Sequence, residues 1–343
     1  MNRADLPEDR ETLADVLCAV LGAGHPMNID GLGGGVSVTT KVAMLSPSDD
    51  EWADVDYFFG QVSVEERSVD FKPTCGNILV GVGPAAIEMG LVQATGDTTQ
   101  VKIRAVNTGA RVLADVQTKD GAVVYEGSEA IDGVPGTAAP VALRFMDVVG
   151  GSTGSMFPTG NRIDTIDGIA VSCIDVAMPM VIARADAFGL TGHETAAELN
   201  ANRAFFDRME PIRCEAGRRM GMGDVSASFI PKFGLLAPPR AGGIAATRYF
   251  MPRSCHASLA LTGSQCLSAA LLCPGTVGEG IIANIPPAPA HMSLEHPLGH
   301  LDVTVDYTRE GDRFDLISAG LVRTARKLAA GETFVPASVW SGR

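Results

Sequence analysis

Thr74-Cys-Gly-Asn-Ile-Leu-Val-Gly-Val-Gly-Pro-Ala-Ala-Ile-Glu-Met-Gly90 is the stretch that decides the fold. From Ile78 to Ile87 it carries no charge, and a helix that is apolar all round is buried on every side. It predicts a helix over 78–89, kinked or locally broken at Pro84 and ended by Gly90. The surrounding sequence reads as sheet. Residues 36–45 and 55–64 are rich in branched and aromatic side chains, as strands are. Residues 99–126 give short alternating segments with turn signals between them, the pattern of antiparallel sheet. Upstream, 9–22 puts Leu13, Val16, Leu17, Val20 and Leu21 on one helical face, with acids in the first turn and Gly22 behind.

The second half repeats the plan. A glycine-dense break at 147–160 sets two lobes, 1–150 and 151–343, the last strand being free to return to the first lobe. Strands are expected over 162–185, near 233–237 and 244–250, and onward to about 306. A helix is expected at 194–221 and a last one at 316–330. A second charge-poor helical segment, 259–272, follows Ser254-Cys-His256, and Thr262-Gly-Ser264 marks its true start. The fold class is therefore α/β of the α+β type: two pseudo-symmetric lobes, each a mostly antiparallel sheet around a central helix. Two buried helices would bring two helix N-termini to an interdomain cleft, where free N–H groups and a positive partial charge bind carboxylates.

Composition removes several classes. With 46% apolar and 20% charged residues, the chain is not disordered. Its 27 basic and 40 acidic residues give a net charge of −13 without a basic run, so nucleic acid and anionic membranes are excluded as partners. No stretch approaches the apolar length of a membrane span, and the polar, acidic start is unlike a signal peptide. The cysteines at 18, 75, 173, 214, 255, 266 and 273 are odd in number, scattered and without CxxC. That is the pattern of reduced thiols in the cytoplasm. It also argues against structural zinc, and Cys255-His256 near His291, His296 and His300 lacks any metal-ligand spacing. No metal and no cofactor are expected, and a homodimer is left open. Gly31-Leu-Gly-Gly-Gly35 reads as a turn into a strand, not as a phosphate loop.

Two residues carry chemistry. A thiol at a helix N-terminus ionises more readily, because the free N–H groups favour thiolate. Cys75 stands at such a place, with Gly76 open to a ligand and Asn77 able to bond a carboxylate. A lysine amine drawn out of water becomes a usable base, and Lys41 lies among apolar residues in an expected strand.

Val69-Asp-Phe-Lys-Pro-Thr-Cys-Gly-Asn-Ile-Leu-Val-Gly-Val-Gly-Pro84 closely resembles the Cys-Gly-Asn turn of the 2-methylaconitate isomerase and 4-oxalomesaconate tautomerase family, which is built on the diaminopimelate epimerase fold. Ile29-Asp-Gly-Leu-Gly-Gly34 and Thr39-Thr-Lys-Val-Ala43 look like the same family's glycine turn and catalytic-lysine strand. Cys173-Ile-Asp-Val-Ala-Met-Pro179, Met220-Gly-Met-Gly-Asp224, Arg248-Tyr-Phe-Met-Pro252, Cys255-His256 and Thr262-Gly-Ser264 extend the resemblance over nearly the whole chain. The Tyr-Phe-Met-Pro and Cys-His segments look more like the oxalomesaconate tautomerases.

The resemblance implies a cofactor-independent isomerase of aromatic compound degradation, moving a proton by 1,3-allylic transfer in an unsaturated tricarboxylate. Lys41 and Cys75 would be its acid–base pair, and Thr40, Gly76, Asn77, His256, Thr262, Gly263 and Ser264 its substrate contacts. Ala260 and Leu261 stand where diaminopimelate epimerase has its second cysteine, so a two-thiol racemase is not expected. 2-Methylaconitate and aconitate remain alternative substrates. The family also implies a strand ending in Arg-Gly-Gly-Thr-Ser-Lys-Gly ahead of Met1-Asn-Arg-Ala-Asp-Leu-Pro7. Without it, an inactive tricarboxylate-binding protein is the reading from another class.

Overall fold

Asp9 starts the first helix and Gly22 stops it. The Asp9 carboxylate accepts the Thr12 N–H at 2.8 Å, and Gly22 takes the left-handed conformation at φ 70°, so α1 (Arg10–Leu21) is capped at both ends. The computed structural model describes residues 1–72, 75–131 and 134–342. They form two compact units, Met1–Arg144 with Val322–Arg343, and Phe145–Leu321.

The first unit continues through β1 (Lys41–Pro47), β2 (Val55–Val62), β3 (Val69–Asp70), α2 (Gly76–Leu79), α3 (Val82–Glu88), β4 (Thr98–Ala105), β5 (Ala110–Lys119), β6 (Ala122–Val123), β7 (Glu129–Ala130), β8 (Thr137–Ala138) and β9 (Pro140–Met146). Its sheet runs β1-β2-β4-β5-β9. β1 pairs antiparallel with β2 and β4 with β5, whereas β2 and β4 are parallel, with α2 and α3 in the crossover between them. α1 covers one sheet face: Leu13, Leu17, Val20 and Leu21 pack on Val42, Met44 and Val62, and the half-buried Trp340 joins this cluster from the returning C-terminal segment.

The expected strand at 36–45 begins only at Lys41; Ser37–Thr39 is a 3-10 turn. Thr39 explains the difference. Its hydroxyl donates to the Val36 carbonyl at 2.9 Å and accepts the Gly34 N–H at 3.1 Å, a local bonding that competes with a ladder. The expected helix at 78–89 is two pieces, broken at Val80 and Gly81 and not at Pro84. Pro84 falls in the first turn of α3, where a missing N–H costs nothing.

The second unit holds β10 (Asp164–Ile166), β11 (Ile169–Val176), β12 (Met178–Arg184), α4 (Ala196–Ala201), α5 (Arg203–Arg219), β13 (Lys232–Ala237), β14 (Ala245–Met251), β15 (Ser254–Cys255), α6 (Leu261–Leu272), β16 (Ala290–His296), β17 (Gly299–Glu310) and most of β18 (Arg313–Thr324). Its sheet runs β18-β17-β16-β14-β13-β12-β11-β10. Only β12–β13 and β14–β16 are parallel among these pairs, and α6 fills the second crossover. Phe205, Met209 and Ile212 of α5 pack on Phe233 and Phe250 on one face. α6 packs on the other with Ile174, Ile182 and Tyr249, and every residue from Gly263 to Leu272 is buried.

The expected helix at 194–221 breaks at Asn202, whose side chain caps α5 by accepting the Phe205 N–H at 3.0 Å. The expected helix at 316–330 is instead strand β18 as far as Thr324 and irregular beyond it. Leu316 and Phe314 lie across from Tyr307 and Arg309 of β17, and Tyr307 stacks on Phe314 at 5.4 Å. An available sheet edge overrides a helical spacing of apolar residues.

Each unit thus repeats one order: a helix, two antiparallel strands, a buried helical crossover, and a second antiparallel pair. The two units are diaminopimelate-epimerase-like lobes of mixed α/β structure.

Candidate active site

Lys41 opens β1 and is half-buried. Its amine donates to Oε1 of Gln61, its directly opposed neighbour on β2, and lies 5.5 Å from the centre of the Phe59 ring. Residues directly opposed across an antiparallel pair share a face, and alternate residues on one strand do too. Lys41, Gln61, Phe59 and Tyr57 therefore point to one side. Val42, Met44 and Val62 point to the other, toward α1.

The Cys75 turn lies on the Lys41 side. The Tyr57 hydroxyl, from the middle of β2, reaches the Cys75 carbonyl at 3.4 Å, and α2 packs against β1. Asn107 holds the approach to the turn: its Nδ2 donates to the Phe59 and Phe71 carbonyls at 2.9 and 2.7 Å, and its Oδ1 accepts the Phe59 N–H at 2.8 Å. Cys75 is the N-cap of α2, extended at φ −137°, with no side-chain cap. The helix behind it is a single turn, so it offers first-turn N–H groups but little macrodipole. Gly76 is half-buried and Asn77 exposed. Thr74, the first residue of the expected motif, lies outside the described residues.

Cys75 also differs from the other cysteines in its surroundings. Burial pushes the Cys173 thiol up to about 12, and those of Cys255 and Cys273 up to about 11. Cys18 and Cys266 move the same way for the same reason. These are neutral, inert thiols.

Thr40, expected to touch substrate, is fully buried and donates its hydroxyl to the Val62 carbonyl at 2.8 Å. It closes the end of the strand ladder beneath Lys41. The glycine run caps α1: the N–H groups of Leu32 and Gly33 donate to the Val20 and Leu21 carbonyls at 2.8 and 3.2 Å. Gly31 lies so close to Gly22 that a Cβ there would stand 2.0 Å from the Gly22 nitrogen.

In the second unit, α6 begins at Leu261 with Ala260 as an N-cap that has no capping side chain. Asp9, Thr195 and Asn202 by contrast cap α1, α4 and α5. Thr262 is exposed and donates to the Met178 sulfur at 3.2 Å; the Tyr249 hydroxyl reaches the same sulfur at 3.4 Å. A Cβ on Gly263 would lie 2.7 Å from the Tyr249 ring, so glycine lets the helix start sit on that ring. Ser264 is fully buried, and both its hydroxyl and its N–H bond back to Leu261 and Ala260. It supports the turn and presents nothing outward. His256 is half-buried; Nδ1 accepts the Ser258 N–H at 3.0 Å, so a neutral ring carries its proton on Nε2. Among the described residues, no three His, Cys, Asp or Glu side chains converge as metal ligands would, and no helix is long and apolar enough to cross a membrane.

Sequence reasoning missed Gln61, Tyr57, Asn107 and Met178. Each acts through a partner distant in sequence, brought to it by strand register for Gln61 and by the packing of turns and helices on the sheet for the others.

Two lobes, each a sheet around a largely apolar helical crossover, give the diaminopimelate-epimerase-like fold, and the relatives of this chain make it an isomerase. The chain belongs to the PrpF protein family, matched over residues 1–336. It is 49% identical over 331 residues to YbhH of Escherichia coli (strain K12), covering 96% of this chain and 93% of that protein. It is 43% identical over 338 residues to the 4-oxalomesaconate tautomerase of Pseudomonas putida, covering 98% and 92%. The crystal structure of a methylitaconate-delta-isomerase superposes with a TM-score of 0.91 at 31% identity, covering 99% of this chain and 92% of that one.

Proposed function

We propose that this isomerase is a tautomerase of an unsaturated tricarboxylate, 4-oxalomesaconate or a close analogue, working by 1,3-allylic proton transfer without a cofactor. The carrying observation is the shared sheet face: the Lys41 amine and the Cys75 turn lie on the same side of β1 and β2. The Pseudomonas putida relative supports the choice of substrate.

The chemistry balances with these two groups alone. One removes a proton from a carbon next to a carbonyl or carboxylate. The electron pair spreads through the conjugated system, and the other group returns a proton two carbons away. The double bond moves, the formula is unchanged, and the pair ends with its protons exchanged. Groups that must both give and take are effective when their proton affinities lie near the working pH.

Gly76 and Asn77 in the first unit would bind substrate carboxylate through first-turn N–H groups and the Asn77 side chain. In the second unit, the start of α6 with Thr262 and Gly263 would do the same, with His256 beside it. Thr40 and Ser264 would hold these turns and make no contact of their own. The absence of a capping side chain at α2 and α6 supports this, because a ligand carboxylate would satisfy the free N–H groups. The reading places the enzyme in the cytoplasm, which seven unpaired thiols support.

The test is turnover of 4-oxalomesaconate, 2-methylaconitate and aconitate side by side. Lys41→Ala and Cys75→Ala are each expected to abolish isomerisation at an unchanged melting temperature. Full activity in either variant overturns the acid–base assignment, and faster turnover of another tricarboxylate overturns the substrate.

A further inference from the structure

We propose that Gln61 is the positioning residue of Lys41, holding its amine with a neutral acceptor so that the amine stays free to exchange its proton. This rests on the reading of Lys41 as an acid–base group.

The orientation of the Gln61 amide is determined by its surroundings. Nε2 is ringed by oxygen: it donates to the carbonyls of Ser37 at 3.0 Å, Thr40 at 3.1 Å and Val62 at 3.3 Å, and faces the Thr40 hydroxyl at 3.4 Å. Flipping the amide would press Oε1 against those oxygens and turn N–H groups toward the lysine amine, so Oε1 must face Lys41. The same clamp ties the 3-10 turn at Ser37–Thr39 to β2 and so fixes where β1 begins.

Among the described residues Lys41 makes no ion pair within 4.0 Å. Arg10, Glu11 and Asp15 belong to α1, on the opposite face of the sheet. Asp70 of β3, directly opposite Gln61, accepts the Lys72 N–H at 2.9 Å. The other charged groups near β1 have partners of their own. Asp56 of β2 pairs with Arg104 at 2.5 Å, and Glu88 of α3 pairs with Lys327. Arg3 donates to the Leu6 and Pro7 carbonyls, and Asp5 acts on the Met1 amino group. α2 has no charged residue, and Cys75 is the titratable group at its start. The amine is thus held by an uncharged oxygen over the Phe59 ring. A carboxylate in place of the amide would still put an oxygen beside the amine, though without the Nε2 bonds to the turn, and would stabilise the ammonium and withhold its proton. An apolar side chain would leave the amine free but loose.

Gln61→Glu and Gln61→Leu separate these effects. Each variant is followed by kcat and KM, by the pH profile of kcat/KM, and by NMR titration of the Lys41 side chain with labelled lysine. In Gln61→Leu, kcat is expected to fall about tenfold or more with KM within about twofold, since a displaced acid–base group loses part of its contribution. In Gln61→Glu, the limb of the profile that Lys41 sets and the Lys41 titration are expected to move together to higher pH by about one to three units. If Gln61 only tied down the Ser37–Thr39 turn and did not reach the amine, the Lys41 titration would stay in place in both variants. An unshifted titration in Gln61→Glu overturns the proposal, as does a wild-type kcat in Gln61→Leu. If Gln61→Leu does not fold, the titration in Gln61→Glu decides, since it requires no turnover. An active Lys41→Ala variant would instead defeat the underlying reading; an inactive one beside an unaffected Gln61→Glu defeats only this proposal.

Discussion

Seven thiols in one chain allow a direct comparison of environment. Cys75 is half-buried at the mouth of a helical turn, whereas five others are fully buried. Cys214 is half-buried too, but burial and the neighbouring Glu210 push its thiol upward. Brief treatment with iodoacetamide at mildly alkaline pH should therefore label Cys75 first and Cys214 next, with the buried five labelled only after unfolding. Peptide mapping by mass spectrometry checks the order, and early labelling of Cys173 or Cys255 would show that burial does not protect them. At this scale much of the candidate site was legible. Cys75 could be named as a thiol expected at a helix start, and Lys41 chiefly because Thr39-Thr-Lys-Val-Ala43 resembles the family's catalytic-lysine strand. Gln61 could not, because a glutamine in a strand looks like any half-exposed polar residue until register sets it opposite Lys41. Thr40 and Ser264 were legible as members of motifs, but their hydroxyls turn inward to protein carbonyls.

At the scale of elements, capping signals were easy to read and breaks were not. α1 was legible because its cap, apolar face and terminal glycine agree. The crossover helix was expected to break at Pro84 and breaks instead at Val80 and Gly81, which apolar composition does not mark. Two substitutions test this account by urea denaturation. Pro84→Ala should change stability by less than about 1 kcal/mol, since a first-turn proline sacrifices no helical bond, whereas an interior one costs about 3 kcal/mol. Gly31→Ala should be among the most damaging changes in the chain, because the added Cβ meets backbone 2.0 Å away. Gly90→Ala serves as a control: it is strained at φ 72° but has open space around it.

The loop before β14 gives a pH-dependent counterpart. Glu295, on β16, is buried and accepts N–H groups from Ala241 at 2.6 Å, Gly243 at 2.9 Å and Arg240 at 3.0 Å. Burial alone would raise its pKa, but these backbone bonds outweigh burial and hold it below the ordinary 4.5. A depressed pKa in the folded state contributes stability above the unfolded value and loses it as pH falls through the folded one. Glu295→Gln should thus cost about 1–3 kcal/mol at neutral pH, and the gap to wild type should narrow below pH 4.5. A constant gap across that range would show that the carboxylate's charge does not matter.

On the scale of the whole molecule, the first unit is discontinuous in sequence. Residues 1–144 are completed by 322–343, and Val335, Val339 and Trp340 pack on the α1 cluster. Trp340→Ala should destabilise the first unit by about 2 kcal/mol, less than a fully buried tryptophan would lose. Guanidinium unfolding followed by the fluorescence of Trp52 reads this out, since the only other tryptophan also lies in that unit. The second unit is one uninterrupted stretch. Its last residue is joined to the chain before the final segment of the first unit is made. A chain without residues 322–343 therefore holds the whole of the second unit but only part of the first, so the portion encoded later can reach its native form while the portion encoded first lacks its closing piece. A chain ending at residue 321 and released from the ribosome should resist protease in the C-terminal unit and remain open to it in the N-terminal one.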